Sequence, residues 1–92
     1  MTLSFKGKEA ETLWIERSAP KLGAIQRVAL RKLTMLDAAV NLNDLRVPPA
    51  NRLEKLSGDR QGQHSIRIND QWRICFVWEP AGPRDVEIVD YH

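Results

Sequence analysis

The sequence of 92 residues has few of the residues on which small secreted or metal-binding domains depend. Cys75 is its single cysteine, which excludes an internal disulfide, and with only His64 and His92 beside it a structural zinc site is not expected. The apolar runs are only a few residues long, and the N-terminus lacks the apolar core of a signal peptide. These absences predict a single domain over residues 1–92 in the reducing cytoplasm, with no membrane contact, metal or cofactor.

Familiar catalytic motifs are also missing. The sequence contains no glycine-rich phosphate loop, no nucleophile elbow and no His-Glu-x-x-His pair. The reactive residues that remain are Arg, Lys, Asp, Glu, Tyr and His, which suit metal-free acid–base chemistry on an anionic substrate.

The charge balance points only weakly to a nucleic-acid partner. Lys and Arg number 14 against 12 Asp and Glu, so the formal net charge is +2. The segment from Arg46 to Arg73 is more basic, with six basic and three acidic residues. A solvated surface without a partner would give the same pattern, so charge alone leaves both interpretations open.

The hydrophobic pattern changes from helical to strand-like along the chain. Apolar residues recur every three to four positions from about Gly7 to Ser18 and from Leu22 to Val40. From Ser65 onward they alternate in three segments, near 65–69, 72–78 and 86–91, with Leu3 and Phe5 as a possible edge strand. The sequence therefore predicts an α+β fold, with two N-terminal helices packed on one face of a small, mainly antiparallel β-sheet.

The alternation also predicts what each face of the sheet carries. One face is strongly apolar and should be covered by the helices, and it holds Trp72, Ile74, Phe76 and Trp78. The opposite face is polar, cationic and aromatic, and it holds Arg67, Arg73, Glu87 and Tyr91. Off the apolar stripe of the second helix lie three basic residues that should be exposed: Arg27, Arg31 and Lys32.

Arg73 is the most informative single residue, because it lies in a strand whose neighbours are mostly apolar. An arginine there needs an anionic partner or a wet face. It could form a structural ion pair with Glu87 or Asp90 on the next strand, or it could hold a phosphate and stabilise developing charge. Arg67 has the same two interpretations.

Two further segments could contribute to a site. At the C-terminus, Tyr91 could stack on a base and His92 could exchange a proton near neutral pH, although terminal residues usually fray. Between Gly58 and Gly62, a turn could project Arg60, or it could be a plain connecting loop. His64 is expected to be half-buried packing, and Cys75 a small core residue.

The residues of the second half resemble a known family. Residues 53–62, Leu-Glu-Lys-Leu-Ser-Gly-Asp-Arg-Gln-Gly, are followed at 65–76 by Ser-Ile-Arg-Ile-Asn-Asp-Gln-Trp-Arg-Ile-Cys-Phe, and the chain ends in Asp-Tyr-His. This run is similar to the HigB-type toxins, or killer proteins, of the RelE/ParE superfamily in type II toxin–antitoxin systems. The resemblance covers about the last forty residues specifically, and chain length and the order of elements agree throughout.

The resemblance implies a ribosome-dependent, metal-independent mRNA endonuclease that enters the decoding site of the 70S ribosome and stops translation. It implies neutralisation by a HigA-type helix-turn-helix antitoxin, with operator DNA bound only by the toxin–antitoxin complex. By the same similarity, Arg73 would stabilise the scissile phosphate, Tyr91 would stack on or orient an mRNA base, and Asp90 and His92 would set geometry or protonation. RNA backbone would be bound by Arg67 and Arg60, with Lys55 and Arg52 also considered.

The sequence departs from the family pattern before the Gly-Asp-Arg turn, where several members carry histidine or lysine. Glu54 and Ser57 stand there instead. Glu54 could serve as the general base, or it could pair with a nearby arginine, and slower cleavage would follow if the base is weakened. The alternatives to an endonuclease are a ParE-like gyrase inhibitor and a catalytically weak toxin that acts mainly as co-repressor.

The antitoxin contact is expected on the outer faces of the two helices. Trp14 and Ile15 are adjacent and cannot both face the same core stripe, so one of them should be exposed. Charge substitutions along Glu11, Ile15 and Arg27 are therefore expected to weaken antitoxin binding.

Overall fold

A computed structural model describes residues 1–90, in which two helices precede a four-stranded sheet. The helices are α1 (Lys8–Glu16) and α2 (Gln26–Ala38), and the strands are β1 (Glu54–Lys55), β2 (His64–Arg67), β3 (Trp72–Glu79) and β4 (Gly82–Asp90). The sheet order is β1-β2-β3-β4, and each neighbouring pair is antiparallel. The α+β fold predicted from the pattern is confirmed. Within residues 1–90, no helix is long and apolar enough to cross a membrane.

The second predicted helix is shorter than its apolar pattern indicated. A 3-10 segment occupies Pro20–Ile25, and Gly23 interrupts it with backbone angles of φ 57° and ψ −131°. The regular helix begins only at Gln26, whose side-chain oxygen accepts a hydrogen bond of 2.7 Å from the Ala19 amide. It ends at Ala38 rather than Val40, because Ala39 is already extended. Apolar spacing continued through a glycine that takes a non-helical conformation, so periodicity alone misplaced both ends.

The helices cover the apolar face of the sheet, as predicted. Ile74 and Phe76 on β3 are fully buried, while Trp72 and Trp78 at the two ends of that strand are only partly buried. The apolar cluster joins helix residues to sheet residues, and its fully or nearly fully buried members include Leu13, Ala29, Leu33, Leu36, Leu45, Ile66, Ile74, Phe76 and Val86.

Lys32 is buried, which corrects the prediction that it would be exposed. Only 5% of the residue is accessible, and its Nζ donates a hydrogen bond to the side-chain oxygen of Asn51. Asn51 is fully buried and donates from Nδ2 to the Leu45 carbonyl at 3.2 Å. Burial lowers the pKa of Lys32, and the nearby charges of Arg31 and Arg67 lower it further. This buried polar contact links α2 to the loop that leads into β1.

The turn before β4 is tighter than the alternating pattern indicated. The pattern predicts strands near 72–78 and 86–91, yet β3 extends to Glu79 and β4 begins at Gly82. A bulge follows, because Cys75 lies opposite Glu87 whereas Val77 lies opposite Arg84. This extra residue on β4 sets the faces of all later residues on the strand. The predicted edge strand at Leu3 and Phe5 is reduced to a single parallel bridge between Phe5 and Val86.

Candidate functional site

The strand register places four polar residues side by side across the sheet. Glu54 lies opposite Ser65, Ser65 opposite Cys75, and Cys75 opposite Glu87. Opposed residues in an antiparallel pair share a face, and the next residue along each strand points to the other face. Since Ile66 and Ile74 belong to the core under the helices, this polar row lies on the face away from the helices. Arg73 is next to the row and directly opposite Arg67.

Arg73 is held by groups from β1, β2 and the segment just before β1. Its Nε donates to the Ser65 hydroxyl at 2.7 Å, and its Nη2 donates to the Arg52 carbonyl at 2.6 Å. Its Nη1 lies 3.5 Å from a carboxylate oxygen of Glu54. Arg52 adopts a left-handed conformation with φ 45°, which is uncommon for a residue with a Cβ. With 8% of its surface accessible, Arg73 is nearly buried, so its orientation is set by the protein rather than by solvent.

The ion-pair partner of Arg73 differs from the one predicted from the sequence. An ion pair with Glu87 or Asp90 on the adjacent strand was one of the two interpretations, and the structure shows an ion pair with Glu54 on β1. Glu87 instead pairs with Arg60 at 3.1 Å, and Asp90 accepts a hydrogen bond from Gln71 at 3.1 Å. Of the two interpretations of Glu54, the pairing with a nearby arginine is therefore present in the structure.

Arg60 reaches the polar row from outside the sheet. It ends a 3-10 turn over Gly58–Arg60, and Gly58 and Gly62 on either side have positive φ angles of 63° and 91°, which glycine adopts readily. The turn does project Arg60, whose Nη1 contacts both Gln63 and Glu87 at 3.1 Å. The side chains of Arg60 and Glu87 are 30% and 25% accessible, so this pair lies at the rim of the row.

The other predicted RNA-binding residues are divided between surfaces. Arg67 shares the face of Arg73 and pairs with Asp70 at the end of the hairpin. Arg52 contributes its backbone carbonyl to Arg73, while the residue itself is exposed. Lys55 lies opposite His64, in the register position that points to the helix side of the sheet, so it is not brought together with the others. Tyr91 and His92 lie outside the described residues.

Ser65 was not identified as a site residue from the sequence. Its position two residues before Arg67 in the same strand could have placed it on the face of Arg67. Cys75 is fully buried as predicted, but it lies in the polar row rather than in the apolar core. Burial raises the pKa of the Cys75 thiol, with smaller effects from the charges of Arg60, Glu87 and Arg73.

His64 is half-buried, as predicted, and stacks on Phe76 with ring centroids 6.3 Å apart. Burial lowers the pKa of His64, and the charges of Lys55 and Arg46 lower it further. The His64 imidazole lies on the helix side of the sheet and packs against Phe76, so it does not belong to the polar row.

The arrangement suits an anionic ligand. Two guanidinium groups, those of Arg73 and Arg60, are oriented by fixed acceptors along one row, and each has a carboxylate beside it. Arg67 lies opposite Arg73 in the strand register, so a third basic residue stands on the same face. A carboxylate next to an anchored guanidinium can accept a proton while the guanidinium stabilises negative charge.

The chain matches a class of proteins described as RelE-like toxins. The model of the HigB-like toxin family, described as the RelE-like toxin of the type II toxin–antitoxin system HigB, matches residues 15–92. The match covers most of the chain, and the protein belongs to the HigB-like toxin family. As the toxin of a toxin–antitoxin system, it has an antitoxin partner.

Three known proteins are similar to this chain to different degrees. Toxin HigB-1 of Vibrio cholerae is 42% identical over 80 residues, which cover 85% of this chain and 84% of the relative. An uncharacterised protein of Haemophilus influenzae is 46% identical over 55 residues, covering 60% of this chain and 54% of that protein. A chain of the solved YoeB-YefM complex from Staphylococcus aureus superimposes with a TM-score of 0.62 at 16% identity, over 100% of this chain and 98% of that one. The last similarity supports the fold alone.

Proposed function

We propose that this toxin is a ribosome-dependent endonuclease that cleaves mRNA without a metal ion, inhibits translation in the cytoplasm and is neutralised by a HigA-type antitoxin. The observation that carries the proposal is the anchored guanidinium of Arg73 with the Glu54 carboxylate 3.5 Å away. A fixed cation and a neighbouring group able to accept a proton supply two of the three functions that cleave RNA at its own 2′-hydroxyl, and the third is a general acid.

In the proposed reaction, Glu54 accepts the proton of the 2′-hydroxyl, and the 2′-oxygen attacks the adjacent phosphorus. The bond from phosphorus to the 5′-oxygen breaks, and that oxygen receives a proton from a general acid. Arg73 stabilises the extra negative charge on the phosphoryl oxygens in the transition state. Asp90 and His92 are proposed to supply geometry or the proton for the leaving oxygen, and Tyr91 to stack on a base.

The remaining basic residues are proposed to contact the RNA backbone. Arg67 and Arg60 lie on or beside the face of Arg73, which favours this role for them. Lys55 occupies the other face of β1, so its contribution should be the smallest. A formal net charge of +2 is compatible with the proposal, because the ribosome itself would hold and present the mRNA.

The test is cleavage of a model mRNA on purified 70S ribosomes. The wild type is compared with Arg73→Ala, Glu54→Gln and a chain lacking His92. Arg84 and Glu79 form an ion pair of 2.5 Å elsewhere on the sheet, so Arg84→Ala and Glu79→Gln are the matched controls. Loss of an oriented electrostatic group costs about 100-fold or more in rate. The cleavage rate of Arg73→Ala should therefore fall by that factor, while the rates of both controls stay within about twofold of the wild type.

Two results would contradict the proposal. A folded wild type that leaves mRNA intact on programmed ribosomes would reject the endonuclease, and poisoning of DNA gyrase would then assign the ParE-like activity. Retention of operator repression with the antitoxin, in the absence of either activity, would assign the co-repressor role, in which operator DNA is bound only by the toxin–antitoxin complex.

A further inference from the structure

Ser65 is completely buried in the middle of the polar row, where a hydroxyl without a hydrogen-bond partner would lower the stability of the fold. Its Oγ accepts the Nε hydrogen bond of Arg73 at 2.7 Å, and its carbonyl lies 3.5 Å from the Nη2 of the same guanidinium. The hydroxyl comes from β2 and the guanidinium from β3, so the contact depends on the pairing register of these two strands.

An arginine at position 73 needs such a support. Its stem is long and flexible, so the guanidinium keeps one direction only where fixed acceptors hold it. The Nε–H is the donor nearest the stem, so a fixed acceptor there determines the direction of the whole planar group. The Arg52 carbonyl accepts a further hydrogen bond from the Nη2 at 2.6 Å.

We propose that Ser65 is a positioning residue for Arg73: its buried hydroxyl sets the plane of the guanidinium that faces the phosphate, without touching the RNA. The inference rests on the proposed endonuclease function, to which it adds a residue. The positioning role of Ser65 requires the Nε–H of arginine, because the side chain of a lysine at position 73 has no donor at the corresponding point.

The first experiment is a double-mutant cycle on programmed ribosomes with Ser65→Ala, Arg73→Lys and the double variant. Loss of this one hydrogen bond to a charged group should lower the maximal cleavage rate by about tenfold. The toxin concentration at half-maximal rate should stay within about twofold, since Ser65 does not bind substrate. In the Arg73→Lys background, Ser65→Ala should change the rate by less than about twofold.

A second experiment separates this inference from the reaction. The Arg73 Nε–H resonance, assigned by its disappearance in Arg73→Lys, should be protected from hydrogen exchange in the wild type, and its exchange should rise about tenfold in Ser65→Ala. Equal exchange in both proteins would overturn the positioning role. So would a cleavage rate unchanged in Ser65→Ala, or reduced by the same factor in the Arg73→Lys background. Protection without cleavage would retain the Ser65–Arg73 contact and reject the endonuclease.

Discussion

Replacing Asn51 with alanine removes the acceptor that satisfies the buried ammonium group of Lys32. The Lys32–Asn51 hydrogen bond involves a charged donor, and such bonds contribute about 1.5–3 kcal/mol. The bond from Asn51 Nδ2 to the Leu45 carbonyl, at 3.2 Å, adds about 1 kcal/mol. We therefore expect Asn51→Ala to lower the free energy of unfolding by about 3 kcal/mol, a large share of the roughly 5–15 kcal/mol of a small domain.

Lys32→Met should be much less damaging, because it removes the buried charge together with its desolvation cost. It leaves the Asn51 oxygen unpaired, so a loss of about 1 kcal/mol is expected. The double variant Lys32→Met with Asn51→Leu removes both polar partners and should be more stable than Asn51→Ala alone. Urea denaturation followed by tryptophan fluorescence measures the free energy of unfolding of the wild type and the three variants, and the values are compared where the m-values agree.

The pH dependence provides an independent check. Burial lowers the pKa of Lys32 below its ordinary value of 10.5 in the folded state only. Between the folded and unfolded pKa values the unfolded chain binds more protons, so the stability of the wild type relative to Lys32→Met should rise with pH across that window. Lys32→Met costing as much as Asn51→Ala, or Asn51→Ala costing under about 1 kcal/mol, would refute the buried-charge interpretation.

Three further predictions concern other parts of the molecule. Glu87→Gln should lower the unfolding free energy by no more than about 1 kcal/mol, because the ion pair of Glu87 with Arg60 is partly exposed. The same variant should change the rate of mRNA cleavage on ribosomes measurably. An unchanged rate would show that this ion pair is not part of the site. Cys75 should react with a thiol reagent far more slowly in the native protein than in urea, because it is fully buried and its pKa is raised; equal rates would contradict its burial. Ile15 is 67% accessible, so Ile15→Glu should weaken antitoxin binding by at least about tenfold in calorimetry without lowering the unfolding midpoint, and unchanged affinity would place the contact elsewhere.

Much of the fold could be predicted because periodicity is a local property. The change from a period of three to four residues to a period of two separates the helices from the strands, and the alternation in β3 assigns Ile74 to the core and Arg73 to the opposite face. Element ends were less predictable, since apolar spacing does not reveal the positive φ of Gly23 or the bulge in β4.

The sequence by itself determined which side of the sheet Arg73 and Arg67 occupy, because successive residues of a strand must point to opposite faces. Only the tertiary structure decided their partners. Glu54 on β1 and the Arg52 carbonyl just before that strand stand about twenty residues earlier in the chain, and Ser65 contributes through the β2–β3 register. The burial of Lys32 was decided in the same way, because its acceptor comes from a distant turn. Such contacts depend on where the chain returns in space, and no local pattern of residue types encodes that position.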